Sequence, residues 1–330
     1  MRALLVALTF VVALLTTSNA GAVATPAPAA PTGVTVVKTG MYLNQIHEMN
    51  LKENFFVVDL YVWFRWKGDA KPNESFSFID GRIDSKTETG NRTLPDGSNY
   101  FSYRVVVKIT KYWDVRKYPL DRYQLDISLE EDKEDVTVIR YEADEENSAI
   151  APSVQMPGYV LTFLGTKAGT GHYRSNFGDT TLPKDHESDY SRITTSITMG
   201  REGNTYFAKL FFALWIAAAI AFLCFFIKPT NVDPRFGLGV GAIFAAIASE
   251  YTVSSGLPEI GAATLADKLH VVAYAAIFVT LAQSTYSLWL FEHGREDASK
   301  RIDRRFALGL PALYVIANIL VIAMSVTSAR

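Results

Sequence analysis

The chain has 330 residues, 49% hydrophobic and 20% charged, with a formal net charge of −2 and a single cysteine. That length sets a prior of two domains. The near-neutral charge gives no argument for nucleic acid as a partner, and one cysteine, Cys224, excludes an intrachain disulfide.

Residues 1–24 read as an export signal: Arg2, an apolar core from Ala3 to Leu15, then small residues through Ala24. The alternative, an uncleaved anchor, sits poorly with so short a core. Residues 25–32 (TPAPAAPT) form a Pro/Ala linker. From 33 to 203 short alternating runs recur, among them Val57 to Trp66 and Tyr100 to Thr110, with turn signals such as Pro95-Asp96-Gly97 between them. An all-β sandwich follows from that pattern. The segment has no Cys/His metal motif, no glycine-rich phosphate loop and no nucleophile–base pair with motif support, so neither an enzyme nor a bound cofactor is expected. The acidic run Glu130 to Glu146 is a candidate for divalent-cation modulation, since hard cations prefer clustered carboxylates; a solvated surface is the alternative.

Residues 204–330 hold four apolar spans, 206–228, 235–255, 265–291 and 305–327, each long enough to cross a bilayer. The segment 292–305 carries Arg295, Lys300, Arg301, Arg304 and Arg305, whereas 256–264 has no Lys or Arg. The positive-inside rule puts 292–305 in the cytoplasm and the β domain outside, in agreement with an export signal. Almost nothing is then left on the cytoplasmic side to house a kinase, cyclase or adaptor. If the outer domain senses something, the output lies in the membrane.

The second span is a poor lipid-facing helix. Asp233, Gly237, Gly241, Phe244, Ala248, Tyr251 and Ser255 follow steps of four and three and share one face, with Leu238, Val240, Ile243 and Ile247 on the other side. A mixed stripe on an otherwise apolar helix suits the inner wall of a bundle around water, which several copies would have to enclose. The alternative is a tightly packed membrane helix with no pore, and this segment alone leaves both readings open.

Tyr118-Pro119-Leu120-Asp121, preceded by Asp114-Val115, resembles the aromatic-Pro-aromatic-Asp core of the signature loop of pentameric ligand-gated ion channels, the Cys-loop receptor superfamily. Leu120 replaces the second aromatic, and Tyr123 stands where the family often has Gln. The half-cystines of animal members would fall at Lys111 and Leu125, as in the bacterial branch, which lacks that disulfide. Trp66-Lys67-Gly68-Asp69, Arg201, Leu257-Pro258 and the run Pro234 to Gly239 are similar to further family positions. A proline common in the family's first span is missing here.

The resemblance implies a homopentamer in a bacterial inner membrane, a periplasmic or extracellular ligand-binding sandwich, and a pore lined by the second span. It implies gating contacts among Glu53, Tyr118, Pro119, Asp121, Arg201, Leu257 and Pro258. It also implies a small-molecule or ion agonist held between neighbouring sandwiches, with Tyr61, Trp63, Tyr173, Phe177 and Tyr190 as candidates for an aromatic cage; ordinary core aromatics are the alternative. Phe244 and Tyr251 are candidates for a constriction. Five Asp233 carboxylates would form a ring that favours cations, unless Asp233 is only a helix cap. The Pro-Arg-x-Gly-Leu-Gly run resembles anion-selective members and points the other way. The expectation is therefore a cation-preferring ligand-gated channel. An anion-selective channel and a non-conducting membrane-anchored binding protein are the alternatives.

Overall fold

The computed structural model describes residues 33–202 and 205–327; the expected export signal and linker lie outside them. Strands β1 (Thr35–Asn50), β2 (Phe55–Trp66), β3 (Phe76–Phe78), β4 (Gly81–Thr93) and β5 (Asn99–Thr110) come first. Strands β6 (Arg122–Glu131), β7 (Ile139–Ala143), β8 (Ala149–Ile150), β9 (Tyr159–Arg174) and β10 (Glu187–Arg201) follow. Helices α1 (Thr205–Phe222), α2 (Val232–Ser254), α3 (Leu265–Glu292) and α4 (Glu296–Thr327) complete the chain.

The strands form two sheets. One runs β4-β5-β2-β1-β7 with β8 also against β1; the other runs β3-β6-β10-β9. Side chains alternate across a strand, and β2 uses that period cleanly. Phe56, Val58, Leu60, Val62, Phe64 and Trp66 are buried between the sheets, while Tyr61, Trp63 and Arg65 lie on the opposite face. Val105, Val107 and Ile109 of β5 join the core from the same sheet, and Leu125, Ile127, Leu129, Ile193 and Ile197 close it from the other. Truncating a ring such as Phe64 to Ala at this interface costs about 3–5 kcal/mol.

All four helices are long and apolar enough to cross a membrane, so the chain is a multi-pass membrane protein with its β domain outside. Glycine is needed at 239 on α2: a Cβ there would sit 2.3 Å from Leu281 Cδ2 on α3. Gly237 and Gly241 would meet nothing within 4 Å. Gly294, with φ +76°, ends α3 in the left-handed region that favours glycine.

Helix α4 begins at Glu296 rather than near 305, so the basic segment is mostly helical. Its buried face there is polar. Ser299 Oγ donates to Ser287 O at 2.9 Å, and Asp303 is buried as well. An apolar period therefore starts too late to mark this helix's beginning.

Candidate functional site

Helix α2 has two faces. Arg235, Gly239, Ala242, Ala246, Ser249 and Val253 are buried against the rest of the chain. Asp233, Gly237, Gly241, Phe244, Ala248, Tyr251 and Ser255 are all exposed in the single chain. Phe244 is 67% and Tyr251 74% exposed, so neither ring is covered by its own subunit. The helix starts at Val232 with Asn231 as its N-cap residue, which places Asp233 in the first helical turn. Asp233 is thus not the cap; its carboxylate stands beside the positive end of the helix dipole. Glu250, next to Tyr251, accepts a hydrogen bond from Tyr274 Oη of α3 at 2.5 Å.

Arg235 points the other way. It is fully buried and forms a bidentate pair with Asp303 of α4, with Nη2 2.6 Å from Oδ1 and Nη1 3.0 Å from Oδ2. Gln283 Nε2 donates to the same Oδ1 at 2.7 Å, and Arg235 Nη1 also donates to Ile227 O at 2.9 Å. The arginine charge is neutralised inside the protein, two residues from an exposed Asp233. Asp303 and Gln283 carry no motif that would single them out in the sequence.

The second constellation lies where the sandwich meets the helices. Arg201, the last residue of β10, lies over three tyrosine rings: its guanidinium carbon is 4.0 Å from the Tyr206 centroid, 4.6 Å from Tyr159 and 5.2 Å from Tyr118. Asp121 is its nearest carboxylate, with Oδ1 3.9 Å from Nε. Both of those atoms are buried without a hydrogen-bond partner, while Tyr123 Oη donates to the other carboxylate oxygen. Burial lifts the Asp121 carboxyl to about 6, against the downward pull of Arg201. Burial also raises the Tyr118 phenol, helped by its 2.6 Å hydrogen bond to Tyr206. Asp114 behaves oppositely: hydrogen bonds from Arg116 hold it down to about 2.

Backbone contacts join the two domains at the same place. The Leu265 N–H at the start of α3 donates to Arg116 O at 2.9 Å. The Tyr118–Pro119 peptide is cis. The β1–β2 turn reaches the loop, since Trp113 Nε1 donates to Asn50 O at 3.2 Å and Lys111 N–H to Asn54 O at 2.8 Å. Glu53 itself is exposed, with only its backbone N–H held, by Asn50 Oδ1 at 2.9 Å. Among the described residues it forms no ion pair with Arg201. Leu257 and Pro258 are buried just past α2.

The candidate aromatic cage divides in two. Tyr173 packs against Tyr190 (centroids 5.8 Å apart) and Phe177 (6.0 Å). Its hydroxyl donates to Glu130 at 2.6 Å, and Glu130 in turn pairs with Arg192 at 2.6 Å. Burial raises the Tyr173 phenol, and the Glu130 hydrogen bond adds to that. Tyr61 and Trp63 lie instead on the outer face of the other sheet, where Trp63 Nε1 donates to Asp144 at 3.0 Å. Among the described residues, no ring contact links the two groups within one chain, because β2 and β9 belong to different sheets. Nor does the acidic run gather metal ligands: among the described residues no three His, Cys, Asp or Glu side chains converge as a cation site would require. Glu130 is committed to Arg192, and Glu131 accepts from Tyr141 at 2.9 Å.

No family model matches the chain. Over 323 residues it is 21% identical to the proton-gated ion channel of Gloeobacter violaceus, an alignment covering 90% of this chain and 85% of that protein. The resemblance to pentameric ligand-gated channels read from the 111–125 loop agrees with that likeness, as does a β domain followed by four apolar helices.

Proposed function

We propose that five copies of this chain form a ligand-gated ion channel in a bacterial inner membrane, with the second helix of each copy lining a cation-preferring pore. One observation carries the reading. Seven residues from Asp233 to Ser255 make a continuous uncovered stripe on a helix whose opposite face is packed. A carboxylate and a serine hydroxyl are costly in lipid, and glycine and alanine offer acyl chains little surface, so a water-filled axis shared by several copies is the environment that suits the stripe. Phe244 and Tyr251 would narrow that axis by dewetting. Cation preference is supported by Asp233 standing exposed while Arg235 is neutralised by Asp303.

Gating would run from the outer sandwich through Arg201, Asp121 and the Arg116–Leu265 contact to the helices. An agonist pocket between neighbours would join the Tyr173 cluster of one subunit to the Tyr61 and Trp63 face of the next. The Gloeobacter relative is named for protons, and Asp121, at about 6, is a group at the junction that protons would reach first. Protons are therefore the agonist to try before any small molecule.

The test is purified protein in liposomes, with native mass spectrometry on the same preparation. A pentamer that passes monovalent cations on acidification is expected. A monomer or dimer, or a pentamer that passes no ions under any agonist, would leave a membrane-anchored binding protein instead.

A further inference from the structure

The charge at the start of α2 is not needed for stability. Arg235 is 0% exposed, in the first turns of a helix whose other face is uncovered. A well-packed apolar pair of similar volume is often as stable as a buried ion pair, or more so. What the pair fixes is where charge lies at this end of the helix.

Among the described residues, Asp303 is the one carboxylate within ion-pair distance of Arg235. The other contacts of the guanidinium are neutral. Nη1 donates to the Ile227 carbonyl, and Nε is buried with no hydrogen-bond partner. Gln283 Nε2 donates to Asp303 Oδ1, while its own Oε1 is buried and unpartnered. Gln283 therefore orients the carboxylate and adds no charge. Asp303 stands on α4, 68 residues along the chain from Arg235 and outside the exposed stripe. Asp233, two residues before Arg235, is exposed on that stripe. A helix turns about 100° per residue, so Arg235 points away from the stripe, its charge about one helix width, ~10 Å, behind it. Salt weakens a field over that distance without removing it, since the Debye length is about 8 Å at physiological ionic strength and buried charges are screened less.

We propose that Asp303, oriented by Gln283, sets the charge selectivity of the pore from outside it by cancelling Arg235. With the pair intact, each subunit presents the charge of Asp233 alone at the cytoplasmic mouth. Without Asp303, Arg235 offsets that charge subunit for subunit. Asp303 is a positioning residue: it touches no permeating ion and acts through Arg235. The inference rests on the proposed pore and adds to it a determinant on α4.

The test is the reversal potential in a NaCl gradient across liposomes holding the full-length protein. Two single variants should move it in opposite directions. Asp303→Asn leaves the arginine charge uncancelled and should lower the sodium-to-chloride permeability ratio roughly tenfold, for five charges ~10 Å from the stripe at physiological salt. Arg235→Met leaves the carboxylate uncancelled and should raise the ratio by a similar factor. Arg235→Met with Asp303→Leu removes both charges and should restore the wild-type ratio, and Asp303→Glu should keep it. Both shifts should shrink as salt rises. A residue that only supports the fold gives losses of protein or current, not shifts of opposite sign. Where a single variant folds poorly, co-assembly with wild-type chains preserves the measurement, with a shift in proportion to the variant subunits counted by native mass spectrometry. Shifts of the same sign in the two single variants, or no shift in either, would overturn the inference and leave the pore reading intact. A wild type that tracks chloride would overturn the cation preference alone, since opposite shifts are read from any starting value. A wild type that passes no ions would overturn both.

Discussion

Asp121→Asn isolates one proton at the domain junction. Asp121 is 4% exposed, and burial lifts its carboxyl from 3.8 to about 6. At 1.36 kcal/mol per pH unit, the ionised form carries a penalty of about 3 kcal/mol. The folded pKa is raised, so the folded protein binds this proton more tightly than the unfolded chain does. Ionised Asp121 therefore lowers stability above pH 6, and the penalty is relieved as pH falls through 6 toward 4. At pH 5, one unit below the midpoint, about 1 kcal/mol per subunit has been regained. Asparagine carries no such dependence. Thermal unfolding of purified protein at pH 8 and pH 5 should show a larger gain on acidification in wild type than in Asp121→Asn, by the equivalent of that amount. The histidines and other carboxylates are common to both proteins and cancel in the difference. Asp114 nearby does not titrate in this window, because Arg116 holds it at about 2. An identical pH response in the two proteins would refute the reasoning. So would a wild type that loses stability on acidification relative to the variant: Arg201, 3.9 Å away, would then outweigh burial and make Asp121 an ordinary ion-pair carboxylate.

Three further outcomes follow from the same geometry. Arg235→Ala leaves Asp303 buried and unpaired, at a cost of about 3–5 kcal/mol, visible as lost folded protein in detergent; Arg235→Met with Asp303→Leu should recover most of it, and a double variant as poor as the single one would dismiss the pair. In a NaCl gradient the reversal potential should lie toward the sodium equilibrium potential and move toward zero in Asp233→Ala, whereas wild type tracking chloride would leave Asp233 without a selectivity role. Arg201→Gln removes cation–π contacts with three rings, each worth about 0.5–2 kcal/mol, and should impair opening while agonist binding persists; unchanged current at normal surface expression would remove Arg201 from the coupling path.

The elements that were legible in the sequence are those with a simple period. Alternation in β2 marked the sandwich, and four long apolar runs marked the helices. Steps of four and three picked out a stripe on α2 that is exposed along its whole length. What neutralises Arg235 was not readable. Its partner Asp303 lies 68 residues away, in a segment whose arginines and lysines disguise a buried carboxylate. Asp233 had the look of a cap because a proline follows it, yet the helix begins one residue earlier, at Val232. Within one chain the aromatic candidates form two separate groups for a topological reason. Composition shows that Tyr61 and Tyr173 are aromatic, but only sheet order shows that their strands lie in different layers. Tyr159 and Tyr206 around Arg201 were missed: Tyr159 opens a strand and Tyr206 a helix, and nothing in the sequence shows that both ends meet Arg201.

The first turn of α3 has one more implication. The opening N–H groups of any helix lack partners within it. Here the third, from Asp267, is taken by Thr264 Oγ1 at 3.1 Å, and the first, from Leu265, is taken by a carbonyl of the outer domain's loop. The sandwich thus supplies part of a membrane helix's own capping. The two halves of the chain are not interchangeable modules. A graft of this β domain onto another set of helices would have to carry residues 111–121 together with a matching helix start, or leave a bare amide at the membrane surface.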